Sequence, residues 1–143
     1  MAAKSTVFDN DFLKLIFNAT PIVNIADNAS VGPLTTLYIS LHTASPTIGG
    51  DQTTNEAAYG SYTRVGVART AGGWTVTGNS VSPVANITFP IATSGTETET
   101  FFGVGTDASG AGKLLYFGTV SPTIGVTTGV TPQLTNLTVV TEN

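Results

Sequence analysis

The sequence predicts an all-β fold, an antiparallel β-sandwich or jelly roll with one short N-terminal helix, on three observations. A chain of 143 residues with 41% hydrophobic content is enough for one core and too short for two. It holds 26 Thr, 14 Val and 16 Gly, the vocabulary of strands and turns. Short runs with a period of two, separated by Gly, Pro, Ser and Thr, recur from residue 35 onward without any βαβ alternation.

The one helical pattern comes first, over residues 7–17. Phe8, Phe12 and Ile16 recur at i, i+4 and i+8, while Leu13, Leu15 and Phe17 widen the apolar face. Thr6 is placed to cap it, Asp9 and Asp11 suit the positive end of its dipole, and Thr20-Pro21 stops it. Eleven residues do not hold a helix alone, so the face must dock on the domain's own sheet or on a neighbour. Chain termini are often untied unless they serve a partner, which favours the neighbour. Residues 1–20 are therefore read as an N-terminal helical anchor and residues 21–143 as the β-sandwich domain, with Phe8, Phe12 and Ile16 as interaction residues.

Strands follow in order. Residues 35–43 alternate Leu37, Ile39 and Leu41 with Tyr38, Ser40 and His42; residues 62–69 set Thr63, Val65 and Val67 on one side; residues 74–77 pair Trp74 with Val76. Residues 85–91 set Ala85, Ile87, Phe89 and Ile91 against Asn86, Thr88 and Pro90. Residues 99–106 and 113–120 flank a Gly/Asp/Ser turn at 107–112 that reads as a hairpin, and a last strand spans about 134–141. The stretch 45–60 lacks a period and reads as a surface excursion that touches a neighbour. Thr43 to Gly49 and Thr119 to Gly125 differ at one position of seven, and are read as a shared strand-exit turn.

Charge and residue inventory exclude more chemistry than they suggest. Five Lys/Arg against nine Asp/Glu give a net charge of -4, which leaves no basic stripe for direct nucleic-acid binding. There is no Cys and one His, so thiolate chemistry is absent and imidazole chemistry is limited to His42. No run is long and apolar enough for a membrane span, and no secretory signal is visible. His42 with Asp51 or Glu56 could form a base and its orienting acid, yet a histidine hydrogen-bonded at a strand end explains it better. Asp9-Asn10-Asp11 lacks the glycine and distal glutamate of a calcium loop, and Gly103-Val-Gly105 lacks the rest of a dinucleotide fingerprint. Glu97 and Glu99 share one face of a strand, where two solvated acids are commoner than a hydrolytic pair. The expectation is a protein with no catalytic residues, cofactor or metal. Tyr59, Tyr62 and Trp74 are the aromatics that could meet a glycan, and Tyr59 and Tyr62 join the candidate interaction residues.

The ordered string of motifs resembles a family of small bacteriophage virion proteins, described as tail-fibre-like or as capsid decoration proteins. The residues that carry the likeness are Leu37 to Pro46, Tyr62-Thr-Arg64, Thr88 to Thr93, Phe102-Gly103-Val104, Leu114 to Thr119 and Leu137-Thr-Val139, with the helix at 7–17 as a common N-terminal feature. The family's Gly-Tyr-Ala-Arg-like run reads Gly60-Ser-Tyr62-Thr-Arg64 here. The resemblance implies a sandwich or jelly-roll subunit that works as a homo-oligomer, a trimer seated on the capsid exterior and binding the major capsid protein, made in the host cytoplasm. The alternative is a tail or tail-fibre component engaging the host surface. Neither reading involves nucleic acid or membrane.

Overall fold

The computed structural model describes residues 5–22 and 34–142; residues 1–4 of the expected anchor and residues 23–33 of the expected sandwich domain lie outside the described residues. The chain forms α1 (Thr6–Asn18), β1 (Thr36–His42), β2 (Val65–Ala68), β3 (Trp74–Thr77), β4 (Ser80–Pro83), β5 (Ile87–Thr88), β6 (Thr96–Gly105), β7 (Leu114–Thr127), β8 (Gln133–Leu134) and β9 (Val140–Thr141). One sheet has the order β2-β1-β6-β7, a second β3-β4-β9, and β5 and β8 form a two-stranded ribbon. Every pairing is antiparallel. The architecture is an all-β sandwich with one short helix.

The alternation in β1 decides which face is inward. Leu37, Ile39 and Leu41 are buried together with Phe102 and Val104 of β6, and they meet Trp74 and Val81 of the second sheet. Phe89, Leu134 and Val126 close the same core.

α1 is part of that core. Leu13 and Phe17 are fully buried, and the Phe17 ring meets Trp74 edge-on at 4.7 Å and Tyr116 at 5.8 Å. The helix therefore docks on its own sandwich, where a neighbour was the favoured expectation. The expected stripe lies to one side of the buried face: Phe8 is 38% exposed, and Phe12 and Ile16 are half-buried. Two polar contacts hold the helix in place. Asn10 Nδ2 donates to the Gly78 carbonyl at 2.8 Å, and the Arg69 guanidinium donates to the Leu15 and Ile16 carbonyls and, at 3.1 Å, to that of Leu34. A cation on the last free carbonyls suits the negative end of a helix. The N-cap is Ser5, whose Oγ accepts from the Phe8 amide at 3.3 Å, one residue earlier than expected.

Several strand expectations shift. β2 is confined to the second half of the predicted 62–69 run, and only Ile87–Thr88 of the 85–91 run pairs. β4 was not expected, because Ser80–Pro83 is polar and ends in proline, yet Gly78-Asn79 makes a two-residue turn that folds it onto β3. The predicted 134–141 strand is two short ones, β8 and β9. β6 and β7 extend well past the expected ends. As a result the near-identical sevens adopt different structures: Thr43–Gly49 is a turn with Thr47 at φ 64, whereas Thr119–Gly125 lies inside β7. Pairing of β7 with Phe101 and Glu99 of β6 imposes extension on the second copy.

Phe17→Ala should lower the unfolding free energy by about 3–5 kcal/mol, and Phe8→Ala by less than about 1 kcal/mol. Equilibrium urea denaturation of both variants measures the difference; similar losses would contradict the docking of α1 on the sandwich core.

Candidate functional site

The polar side chains that chemistry would need gather where the 43–60 segment crosses the outer face of the first sheet. That segment is not a surface excursion, since Pro46, Gln52, Ala57 and Tyr59 are buried. Buried polar groups must be paired, and here they are paired across the chain. Gln52 accepts from the Asp107 amide at 3.0 Å and donates to the Asp107 carbonyl at 3.2 Å. Arg64 makes a two-pronged bond to Glu56, Nε to Oε1 at 2.6 Å and Nη2 to Oε2 at 2.7 Å. Its remaining N–H groups reach the Asp107 and Gly110 carbonyls at 2.8 Å. The Tyr62 hydroxyl donates to Glu56 Oε1 at 3.0 Å and accepts from the Leu41 amide at 3.1 Å. Burial and the neighbouring Glu56 carboxylate push the Tyr62 phenol well above its usual range, so it stays a donor.

His42 completes the cluster. Its Nδ1 lies 2.9 Å from the Thr54 carbonyl, which can only accept, so Nδ1 carries the proton and Nε2 accepts from Ser40 Oγ at 2.8 Å. A serine hydroxyl on an imidazole whose far nitrogen is held by an acceptor is the geometry of an activated nucleophile. Both side chains are nevertheless wholly buried, so this pair offers no surface to a substrate. Burial also holds the imidazole below its ordinary pKa and keeps it neutral. Neither expected orienting acid serves it: Glu56 is bound to Arg64, and Asp51 Oδ1 accepts from the Thr53 amide and hydroxyl at 2.8 and 2.7 Å.

The two glycines that suggested a fragment of a cofactor loop have a packing role. A Cβ on Gly103 would stand 2.6 Å from Ser40 Oγ and 2.8 Å from His42 Nε2, and one on Gly105 would stand 2.1 Å from Gln52 Cδ. Both would displace the side chains that fasten the crossing segment.

Glu97 and Glu99 share a face of β6 as expected, but that face is turned into the protein. Glu97 is half-buried, and its Oε1 accepts from the Ala58 and Tyr59 amides at 2.9 Å. Glu99 is fully buried, and neither of its oxygens meets a donor among the described residues. The group facing it is the Glu97 carboxylate, itself an acceptor, so a bond between them closes only when Glu99 carries a proton. Burial, with that neighbour adding to it, pushes the Glu99 carboxyl up to about 8. Neither acid is the solvated surface carboxylate that the alternation with threonine predicts.

The aromatic candidates are core residues. Tyr59 is 3% exposed, with its hydroxyl on the Pro90 carbonyl at 3.0 Å, and Tyr62 stacks on Phe89 at 6.3 Å. Trp74 is buried against Phe17. Tyr59 and Trp74 fill the interior, while Tyr62 is half-buried and packs against the core from its edge. No set of three metal-ligating side chains gathers among the described residues, and no described helix is long and apolar enough to cross a membrane.

A broad concavity went unmarked by any motif. It is a groove of about 710 Å³ between the second half of β7, residues 119–125, and the segment 133–139. Threonine and serine hydroxyls alternate along it with Val120, Ile124, Leu137 and Val139. The signal that could have found it is the absence of charge from residue 114 to residue 141.

The buried groups make one pH prediction and one stability prediction. An unfolded chain releases the Glu99 proton near 4.5 and the folded one near 8, so this contribution is complete below pH 4.5 and is lost as pH rises through 8. Thermal melts should show stability falling by more than ~1 kcal/mol between pH 5 and 8.5, and Glu99→Gln should flatten that limb. A wild-type profile level across this window would refute the protonated form. Arg64→Ala strands the Glu56 carboxylate and should cost about 3–5 kcal/mol, which denaturant titration at pH 7 would show.

A family model described as podophage GP4 fiber I protein gp80 matches residues 4–140. No curated protein matches the chain.

Proposed function

The chain belongs to the podophage GP4 fiber I protein gp80 family, and from that premise we propose that it is a subunit of a fibre on the phage tail. As a member it is a bacteriophage structural protein of the virion. The observation that carries the finer reading is the match to a fibre family over nearly the whole chain. It favours the tail-fibre alternative over the capsid cement role, for which the major capsid protein would be the partner.

The physical character of the subunit supports the reading. The fold has no thiols to oxidise. Its polar side chains near the sheet are committed to cross-chain fastening, and the one serine–histidine pair is sealed. We take the protein to be non-enzymatic and to act as a homo-oligomer, a trimer, in which repeated copies multiply weak contacts. Engagement of a host surface would have to use groups other than the buried Tyr59 and Trp74.

Gold-labelled antibody against this protein, imaged on intact particles, should mark the tail. Label spread over the shell facets would replace the fibre reading with the capsid one. Light scattering coupled to size exclusion should give about three times the 14.6 kDa chain mass.

A further inference from the structure

Between Lys113 and Glu142 the chain runs 28 residues without a charged side chain. That stretch contains β7, the outermost strand of its sheet, and both walls of the groove apart from Phe102. Among the described residues, the backbone of residues 114–126 makes no hydrogen bond to main chain other than that of β6. Proteins normally guard such an edge with lysine or other charges. Here the guard is one proline, Pro122, which has no N–H and sits where the β6–β7 register shifts. Large apolar side chains remain open on the opposite wall: Leu137 is 81% exposed and Val139 50%.

We propose that this groove, walled by Val120, Ile124, Leu137 and Val139, is the surface through which copies of the chain meet one another. The inference rests on the self-assembly in the proposed function and names the surface responsible for it. Charge selects the partner. An anionic ligand would need cations, and the groove has none. Two copies of a chain with net charge -4 repel each other across most surfaces, but across this one there is no like charge to bring together and no carboxylate to desolvate. A second copy carries the same uncharged apolar patch, and a trimer with this patch along its threefold axis brings the three copies of it together. Because Pro122 and the register shift interrupt the edge, side chains across the groove make the contact rather than a continuous ladder.

The chain has no cysteine, so a single introduced one reports only on contacts between copies. Under mild oxidation, Leu137→Cys should form disulfide-linked dimers at least tenfold more readily than Ile48→Cys, whose position is 98% exposed and outside the groove. The double variant Leu137→Asp/Val139→Asp should run at single-chain mass by light scattering while melting cooperatively; if it fails to fold, the cysteine comparison decides alone. Equal cross-linking at the two positions, or a folded aspartate variant that keeps the wild-type oligomeric mass, would overturn the proposal and leave the fibre reading intact. A wild-type protein of single-chain mass would sink the self-assembly reading and the proposal together, whereas an oligomer that assembles through this groove but is absent from particles would sink only the fibre reading.

Discussion

The fork of Arg64 is the interaction on which the outer half of the structure depends. Its guanidinium reaches Glu56 in the crossing segment and the carbonyls of Asp107 and Gly110 in the β6–β7 turn. One buried cation thus ties the crossing segment, eight residues away, to a turn more than forty residues further along the chain. Removing two charges from water is costly, and such a pair is tolerated only when its remaining hydrogen bonds are satisfied. Here Tyr62 supplies a further bond to Glu56. The same need for satisfaction explains Gln52, which matches both hydrogen-bonding groups of Asp107, and it explains why Gly103 and Gly105 carry no side chain.

Arg69 does for the inner half what Arg64 does for the outer. Its N–H groups take up the closing carbonyls of α1 and the carbonyl of Leu34, so the helix end is fixed beside β2 while Phe17 and Leu13 fill the core. Both arginines are therefore spent on the fold. With so little positive charge and so much Thr and Val at the surface, the molecule is suited to contacts with neutral surfaces, and the uncharged stretch from residue 114 to residue 141 concentrates that property on one side.

The paired acids of β6 add an internal proton site. Glu97 is held by two backbone amides, and Glu99 lies beside it without a donor. A protonated Glu99 can donate its one O–H to the Glu97 carboxylate, which gives one of its two oxygens a partner. His42 works against acid in the complementary direction: burial keeps its ring neutral, and protonation would break its bond from Ser40. The pair of effects places the most stable range between the acid limb of His42 and the alkaline limb of Glu99.

Composition and period were enough to determine the all-β class, the presence of a helix over residues 7–17, the set Leu37, Ile39 and Leu41 on one face, and a hydrogen-bonded histidine at a strand end, because these depend on local alternation and on which residues prefer strands. The ordered motifs were also enough to suggest a virion protein. Tertiary structure alone decided where α1 docks, since an amphipathic face shows that a partner is needed and not which one. It also decided that Tyr59 and Trp74 fill the core with Tyr62 packed against it, that Glu97 and Glu99 face inward, and that residues 43–60 are fastened across the sheet. Those outcomes depend on pairings such as Arg64 with Glu56 and on the register of β6 with β7. The two near-identical sevens show the reason most directly: one is a turn and the other a strand, because only the second has β6 beside it.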